Sequence, residues 1–268
     1  MSVNVLTHAI EHGIPLVVLS PHLDDAALSC GAMMMYAAGR TSVTVLTLFT
    51  EAGQPPHTLS ARQYLRQVGA KSAQTLYRDR RAEDLVALEA LGITCVHAGL
   101  TEALFRRRPQ RRRWAPLTQL LPETAHIYPF YRWHITSGRI ADSDIGTLHD
   151  VCDIVTHTTS DGPSVVLAPL GVGAHVDHVL VRSAAERAEA QVVFYSDFPY
   201  NQRHLPDDGF LHRNGLVEMG WSEQIEAKAA LIMAYETQAK ALFGGGHIPA
   251  VPEIFFYAAD FPAKVRPQ

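Results

Sequence analysis

The residues with the most chemical potential in this chain fall in two short stretches, Ser20-Pro21-His22-Leu23-Asp24-Asp25 and His175-Val176-Asp177-His178. Each brings imidazole nitrogens and carboxylate oxygens together within a few residues, the donor types that suit a zinc ion. His175 and His178 are close to one helical turn apart, so both rings can reach one site. An Asp at the start of a helix often serves as an N-cap, and that role could account for one of Asp24 and Asp25. It accounts neither for His22 beside them nor for a second turn of the same composition roughly 150 residues later.

Both stretches follow strand-like runs and precede helical ones. Ile14 to Ser20 (IPLVVLS) is a β-rich run bounded by Gly13 and Pro21, and Asp25 to Ala38 reads as a helix. Ser164 to Leu170 (SVVLAPL) runs through GVGA into a helix over Asp177 to Ala190. Further strands are expected at Val43 to Phe49, Ile93 to His97, Val192 to Tyr195 and Ile254 to Tyr257. Further helices are expected at Asp79 to Leu91 (closed by Gly92), Ile145 to Thr159 and Ser222 to Phe243. This alternation predicts a single α/β domain over residues 1–268, Rossmann-like, with a mostly parallel sheet flanked by helices. Residues 100–144 break the pattern and read as an insertion over the main sheet. In a parallel sheet the carboxyl ends of the strands share one edge, where ligands gather, so the two turns can converge.

PHLDD followed downstream by HVDH resembles the LmbE/PIG-L family of zinc-dependent N-acetylglucosaminyl deacetylases, whose usual patterns are (A/P)HPDD and HPDH. Leu23 and Val176 stand where prolines are common, a departure that bears on loop stiffness and not on donor atoms. The resemblance extends to TEAG (Thr50 to Gly53), to Arg80-Arg81-Ala82-Glu83 running on to Leu91-Gly92, and to KAALIMAYETQ (Lys228 to Gln238), with Thr237 in a serine position. It implies that His22, Asp25 and His178 hold one Zn²⁺ with an open position for water. It further implies that Asp24 is the general base, and that His175 stabilises the oxyanion or protonates the leaving amine. Asp177 would orient a histidine from behind. One arginine of the Arg80/Arg81 pair would hold a substrate hydroxyl or carboxylate, although a solvated helix face explains the pair as well.

The expected reaction is removal of an N-acetyl or other N-acyl group from an amino sugar or glycoconjugate. Amide carbonyls and water are both poorly reactive at neutral pH, and a zinc site with an adjacent carboxylate and histidine addresses both. The same donors would accept Fe²⁺ or Co²⁺. Two alternatives stand beside this reading: an amidase for a thiol-sugar conjugate or a longer acyl chain, and a non-catalytic sugar-binding module of the same fold. The joint presence of His22, Asp24, Asp25, His175 and His178 argues against the module.

Other features narrow the class. The 268 residues are 47% hydrophobic and 19% charged, as in a folded protein with a real core, and the formal net charge of -4 gives no general attraction to nucleic acid or anionic membranes. No apolar run approaches the roughly 20 residues of a membrane helix, and the N-terminus lacks the pattern of a signal peptide. Cys30, Cys95 and Cys152 are odd in number and form no CxxC pair, so neither a disulfide framework nor a thiolate zinc site is expected, and a cytoplasmic setting fits. Arg106 to Arg113 (RRRPQRRR) reads as a solvated loop or a clamp for an anionic substrate, without the aromatic interleaving of a nucleic-acid binder. His8 and His12 are expected on the surface, and His247 in a glycine-rich loop is as readily a plain loop residue as a pocket one. No GxGxxG or GxSxG is present at a strand end.

Overall fold

A computed structural model describes residues 4–109, 120–160, 162–244 and 246–261. In chain order its main elements begin with α1 (Val5–Glu11), β1 (Leu16–Ser20), α2 (Asp25–Ala37) and β2 (Val43–Glu51). There follow α3 (Leu59–Gln67), α4 (Ala73–Glu89), β3 (Thr94–Thr101), α5 (Ile145–Thr159) and β4 (Val165–Pro169). The chain continues through α6 (Val176–Ala185), β5 (Gln191–Tyr195), α7 (Asp208–Arg213) and β6 (Leu216–Trp221). It ends with α8 (Ile225–Met233), α9 (Glu236–Phe243) and β7 (Glu253–Ala258).

The strands form one seven-stranded sheet in the order β3-β2-β1-β4-β5-β7-β6. The first five are parallel to their neighbours, and β7 runs antiparallel to both β5 and β6. The two-residue alternation of a strand divides the core between the two faces. Leu16 and Val18 pack on one side with α1 and α2, including Leu6, Met33 and Met34. Val17 and Leu19 pack on the other with α5 and α6, including Val151, Val155 and Leu180. Every residue of β1 and β4 is buried, which explains why these two runs carry no polar alternation. This is the mostly parallel, helix-flanked α/β sheet that the alternation predicts.

β1 and β4 are direct neighbours, registered Leu16↔Val165, Val17↔Val166 and Val18↔Leu167. The chain leaves β1 toward β2 and β3 on one side, then returns to β4 on the other. Such a reversal opens a crevice at the carboxyl ends of the two strands. The PHLDD and HVDH turns follow those two ends.

Several elements differ from expectation. α4 begins at Ala73, ahead of the expected Asp79, because Ser72 caps it by accepting from Thr75 N at 3.1 Å. α3 and β6 are additional to the expected elements; β6 is a mostly exposed edge strand that includes Gly220, with little hydrophobic pattern to betray it. The late helix is two helices, α8 and α9, interrupted near Tyr235. Residues 102–109 and 120–144 cover the two turns at the strand ends, packing Ala103, Leu104, Phe105, Ile127 and Ile135 against Leu23 and Val176. Among the described residues no helix is long and apolar enough to cross a membrane.

Candidate active site

The turn after β1 is built by its own hydrogen bonds. Ser20 Oγ donates to His22 O at 2.6 Å and accepts from Ala26 N at 3.1 Å, which satisfies a free amide in the first turn of α2. Asp24 occupies the N-cap position, yet its side chain makes no capping bond and lines a cleft instead. The capping explanation for this carboxylate therefore fails. Asp25 turns inward, with Oδ2 accepting from His22 N at 2.8 Å.

The turn after β4 needs unusual backbone geometry. Gly173 has φ +87°, and a Cβ there would stand 3.2 Å from the Tyr200 side chain. His175 caps α6, its Nδ1 accepting from Asp177 N at 3.3 Å. The ring proton of neutral His175 is thereby left on Nε2. Asp177 and His178 follow on the first turn of α6, both buried.

The two turns meet. The ring centres of His22 and His178 are 5.1 Å apart, with His175 4.8 Å from His22 and 5.4 Å from His178. Asp25 Oδ2 lies 3.0 Å from His22 Nδ1 and 3.3 Å from His178 Nε2. Tetrahedral zinc, with bonds of about 2.0–2.2 Å to nitrogen and oxygen, separates neighbouring donors by about 3.3–3.6 Å. Asp25 Oδ2 is thus spaced from each imidazole nitrogen nearly as two ligands of a single ion would be. The outer nitrogens are also held: His22 Nε2 lies 3.2 Å from Asp177 Oδ2, and His178 Nδ1 lies 2.6 Å from Asp197 Oδ1. A carboxylate behind each imidazole is the usual support of a metal-binding histidine. His175 brings a third imidazole whose nitrogen is within 4.8 Å of the other two. Among the described residues no carboxylate backs its ring, which sets it apart from His22 and His178.

The electrostatics fit a cation. Burial opposes charge on His178, but Asp25 and Asp197 raise it to about 10. Burial likewise opposes charge on His22, yet Glu102, Asp177 and Asp25 hold it well above the ordinary imidazole value. Burial alone would raise Asp25, but His178 and His22 hold it well below the usual carboxylate range. A pocket that pulls protons onto its histidines so strongly is one where a divalent cation can replace them. Burial and His22 push His175 the other way, well below the ordinary value. Burial and the Asp25 carboxylate push Asp24 up to about 7, and burial pushes Glu102 up to about 7.

These residues face a cleft of about 860 Å³, lined by His22, Asp24, Asp25, Glu102 and His175 at its floor and by Phe130, Tyr131 and Trp133 on one wall. Arg80 lies in the cleft, buried, with Nη2 donating to Tyr64 OH at 2.6 Å. Arg81 does not; it donates to Thr50 O and pairs with Glu51 Oε1, both at 2.7 Å, because consecutive helical residues point about 100° apart. Arg106 corrects the reading of the basic run. It is 5% exposed and bridges Asp144 and Asp177, while residues 110–113 of the run lie outside the described residues. Arg107 donates to Pro56 O at 2.6 Å. His8 is half-buried on α1, His12 is exposed at its end and His247 is exposed; none of them lines the cleft.

Glu102, Asp144 and Asp197 are functional or supporting residues that the sequence motifs do not reveal. Glu102 and Asp197 each follow the carboxyl end of a parallel strand, β3 and β5, the same position that marks the two motifs. That placement is the one signal in the sequence that could have found them.

Comparison with known proteins places the chain in a family. Residues 17–189 match the sequence profile described as PIG-L, GlcNAc-PI de-N-acetylase. The chain belongs to this family. Among curated relatives, the 2'-N-acetylparomamine deacetylase of Streptomyces fradiae is 30% identical over 207 residues, 75% of this chain and 63% of that protein. The chain thus spans less than two thirds of that relative. The 2'-N-acetylparomamine deacetylase of Niallia circulans is 27% identical over 252 residues, 84% of this chain and 81% of that protein. A zinc-inhibited form of teicoplanin deacetylase shares the fold, with a TM-score of 0.69 at 23% identity, covering 90% of this chain and 97% of that one.

Proposed function

We propose that this PIG-L protein hydrolyses the N-acetyl group of an amino sugar, with a zinc ion held by His22 Nδ1, Asp25 Oδ2 and His178 Nε2. The observation that carries the reading is the convergence of those donors, with Asp177 and Asp197 behind the two imidazoles. Bound there, zinc would acidify water and polarise the amide carbonyl, the two things that amide hydrolysis lacks at neutral pH.

The remaining steps belong to the chain. Asp24 lines the cleft with a carboxyl raised to about 7, suited to take a proton from the attacking water and return it near neutral pH. His175, proton on Nε2, is suited to donate to the developing oxyanion or to the departing amine. Asp177 holds His22 while Arg106 and Ala103 N fix Asp177. Arg80 stands in the cleft beside Tyr64 as the candidate for a substrate hydroxyl.

The curated relatives favour an N-acetylated aminoglycoside as substrate. The exposed aromatic wall, with Trp133 76% and Phe130 41% exposed, favours a second reading in which the apolar surface receives a longer acyl chain. Purified protein incubated with 2'-N-acetylparomamine should release acetate and the free amine, lose turnover on chelation and regain it with zinc. Mass spectrometry of the released acid separates the two readings. Turnover that persists both without metal and in Asp24→Asn would overturn the first.

A further inference from the structure

A second set of metal donors lies outside the cleft. Asp84 stands on α4, and Cys95 and His97 stand two residues apart on β3, so their side chains share the face that meets the helix. Asp84 Oδ2 lies 2.8 Å from His97 Nε2 and 3.5 Å from Cys95 Sγ, and Sγ lies 3.3 Å from the same Nε2. None of the three lines the cleft.

The geometry excludes a catalytic cysteine. A thiol activated by a histidine needs one ring nitrogen for sulfur and the other for the carboxylate. Here a single nitrogen, Nε2, faces both. Burial and Asp84 also push the Cys95 thiol up to about 12, away from the reactive thiolate. What remains is a triangle of sulfur, nitrogen and oxygen. Around tetrahedral zinc, with Zn–S about 2.3 Å and Zn–N about 2.0–2.1 Å, the edges of such a triangle are about 3.3–3.6 Å; the two edges to sulfur, 3.3 and 3.5 Å, match, and the 2.8 Å edge between Asp84 and His97 would open on binding.

The supporting groups suit an ion as well. Tyr235 OH donates to Asp84 Oδ1 at 2.8 Å, which leaves Oδ2 turned toward Cys95 and His97. Thr47 Oγ1 donates to Oδ2 at 3.3 Å. β3 is an edge strand and the His97 side chain is 20% exposed, so an ion has a route in.

We propose that Asp84, Cys95 and His97 form a second cation site that takes a thiophilic divalent ion of the zinc type and ties β3 to α4. A sulfur donor favours zinc or cobalt over magnesium or calcium. On binding, the Cys95 S–H proton passes to solvent, a metal–sulfur bond forms, and water completes the coordination. The site is independent of the one formed by His22, Asp25 and His178, which contains no sulfur.

That difference supplies the test. Metal-stripped protein is titrated with Co²⁺ while bound cobalt and near-ultraviolet absorbance are recorded. The expected result is two equivalents of cobalt and a thiolate-to-cobalt charge-transfer band. Cys95→Ser should lose the band and one equivalent while deacetylation continues unchanged. His178→Ala should keep the band while deacetylation fails, so the two sites are judged separately. A native protein that fills its first site with no sulfur band would mean that the cluster is hydrogen-bonded only, and would overturn the proposal. A band that survives Cys95→Ser would overturn it equally, by assigning the sulfur to Cys30 or Cys152.

Discussion

At the scale of single residues, the proposed mechanism gives holding the metal and moving the proton to different groups. Asp24 is proposed to serve the proton. Its carboxyl faces the cleft and neither caps α2 nor accepts from either imidazole at hydrogen-bond distance among the described contacts. Asp24→Asn should therefore lower kcat by about 10² to 10⁴-fold with bound zinc unchanged, read by turnover and metal analysis on the same sample. Asp197 is proposed to serve the metal, through its hold on His178. Asp197→Asn should weaken zinc binding about 10 to 100-fold, measured by competition with a chromogenic chelator. The proposed donor residues are legible in the sequence because they lie in two compact motifs. Asp197 is not, since it supports His178 from a separate strand end and nothing in the local spelling Ser-Asp-Phe-Pro marks a partner for it.

At the scale of elements, the segment after β3 serves as the brace of the site. Arg106 lies buried between Asp144 and Asp177, with its guanidinium 4.6 Å from the centre of the Phe49 ring. Asp144 also accepts from Tyr128 OH and Thr147 Oγ1, at 2.8 and 2.7 Å. Arg106→Met would leave two buried carboxylates without their cation and should cost about 3–5 kcal/mol of stability, seen as an earlier urea midpoint. The charge run disguises this residue, because sequence shows a cluster of arginines but not which one turns inward. The break between α8 and α9 is hidden for a similar reason. Thr237 N and Oγ1 donate to Glu83 at 3.0 and 2.7 Å, and Tyr235 reaches Asp84, so a remote helix supplies the cap that starts α9. From α9, Gln238 Nε2 donates to Leu23 O at 3.0 Å and braces the turn after β1. The TEAG loop has an equally tertiary reason for its glycine: a Cβ on Gly53 would stand 2.6 Å from Phe105 O.

At the scale of the whole molecule, the order of the strands decides where the chemistry can occur. The adjacency of β1 and β4 brings turns from distant parts of the chain to one crevice; the buried, parallel-type runs imply a shared sheet edge but not this strand order. The edge strand β6 could not be expected either, since it is mostly exposed and lacks the alternation that marks a half-buried strand. Because the proposed metal donors come from two separate segments, an ion bound there would stabilise the folded chain. In a Cys95→Ser background, zinc at about 100 times Kd should add about 2.7 kcal/mol and raise the melting temperature by several degrees, an increase absent when His178→Ala is added. The most direct test is an anomalous difference map from crystals of the native protein grown with zinc. It should show a peak about 2.0–2.2 Å from His22 Nδ1, Asp25 Oδ2 and His178 Nε2, whereas zinc-saturated crystals with no peak between the two turns would contradict the assignment of the metal to these donors.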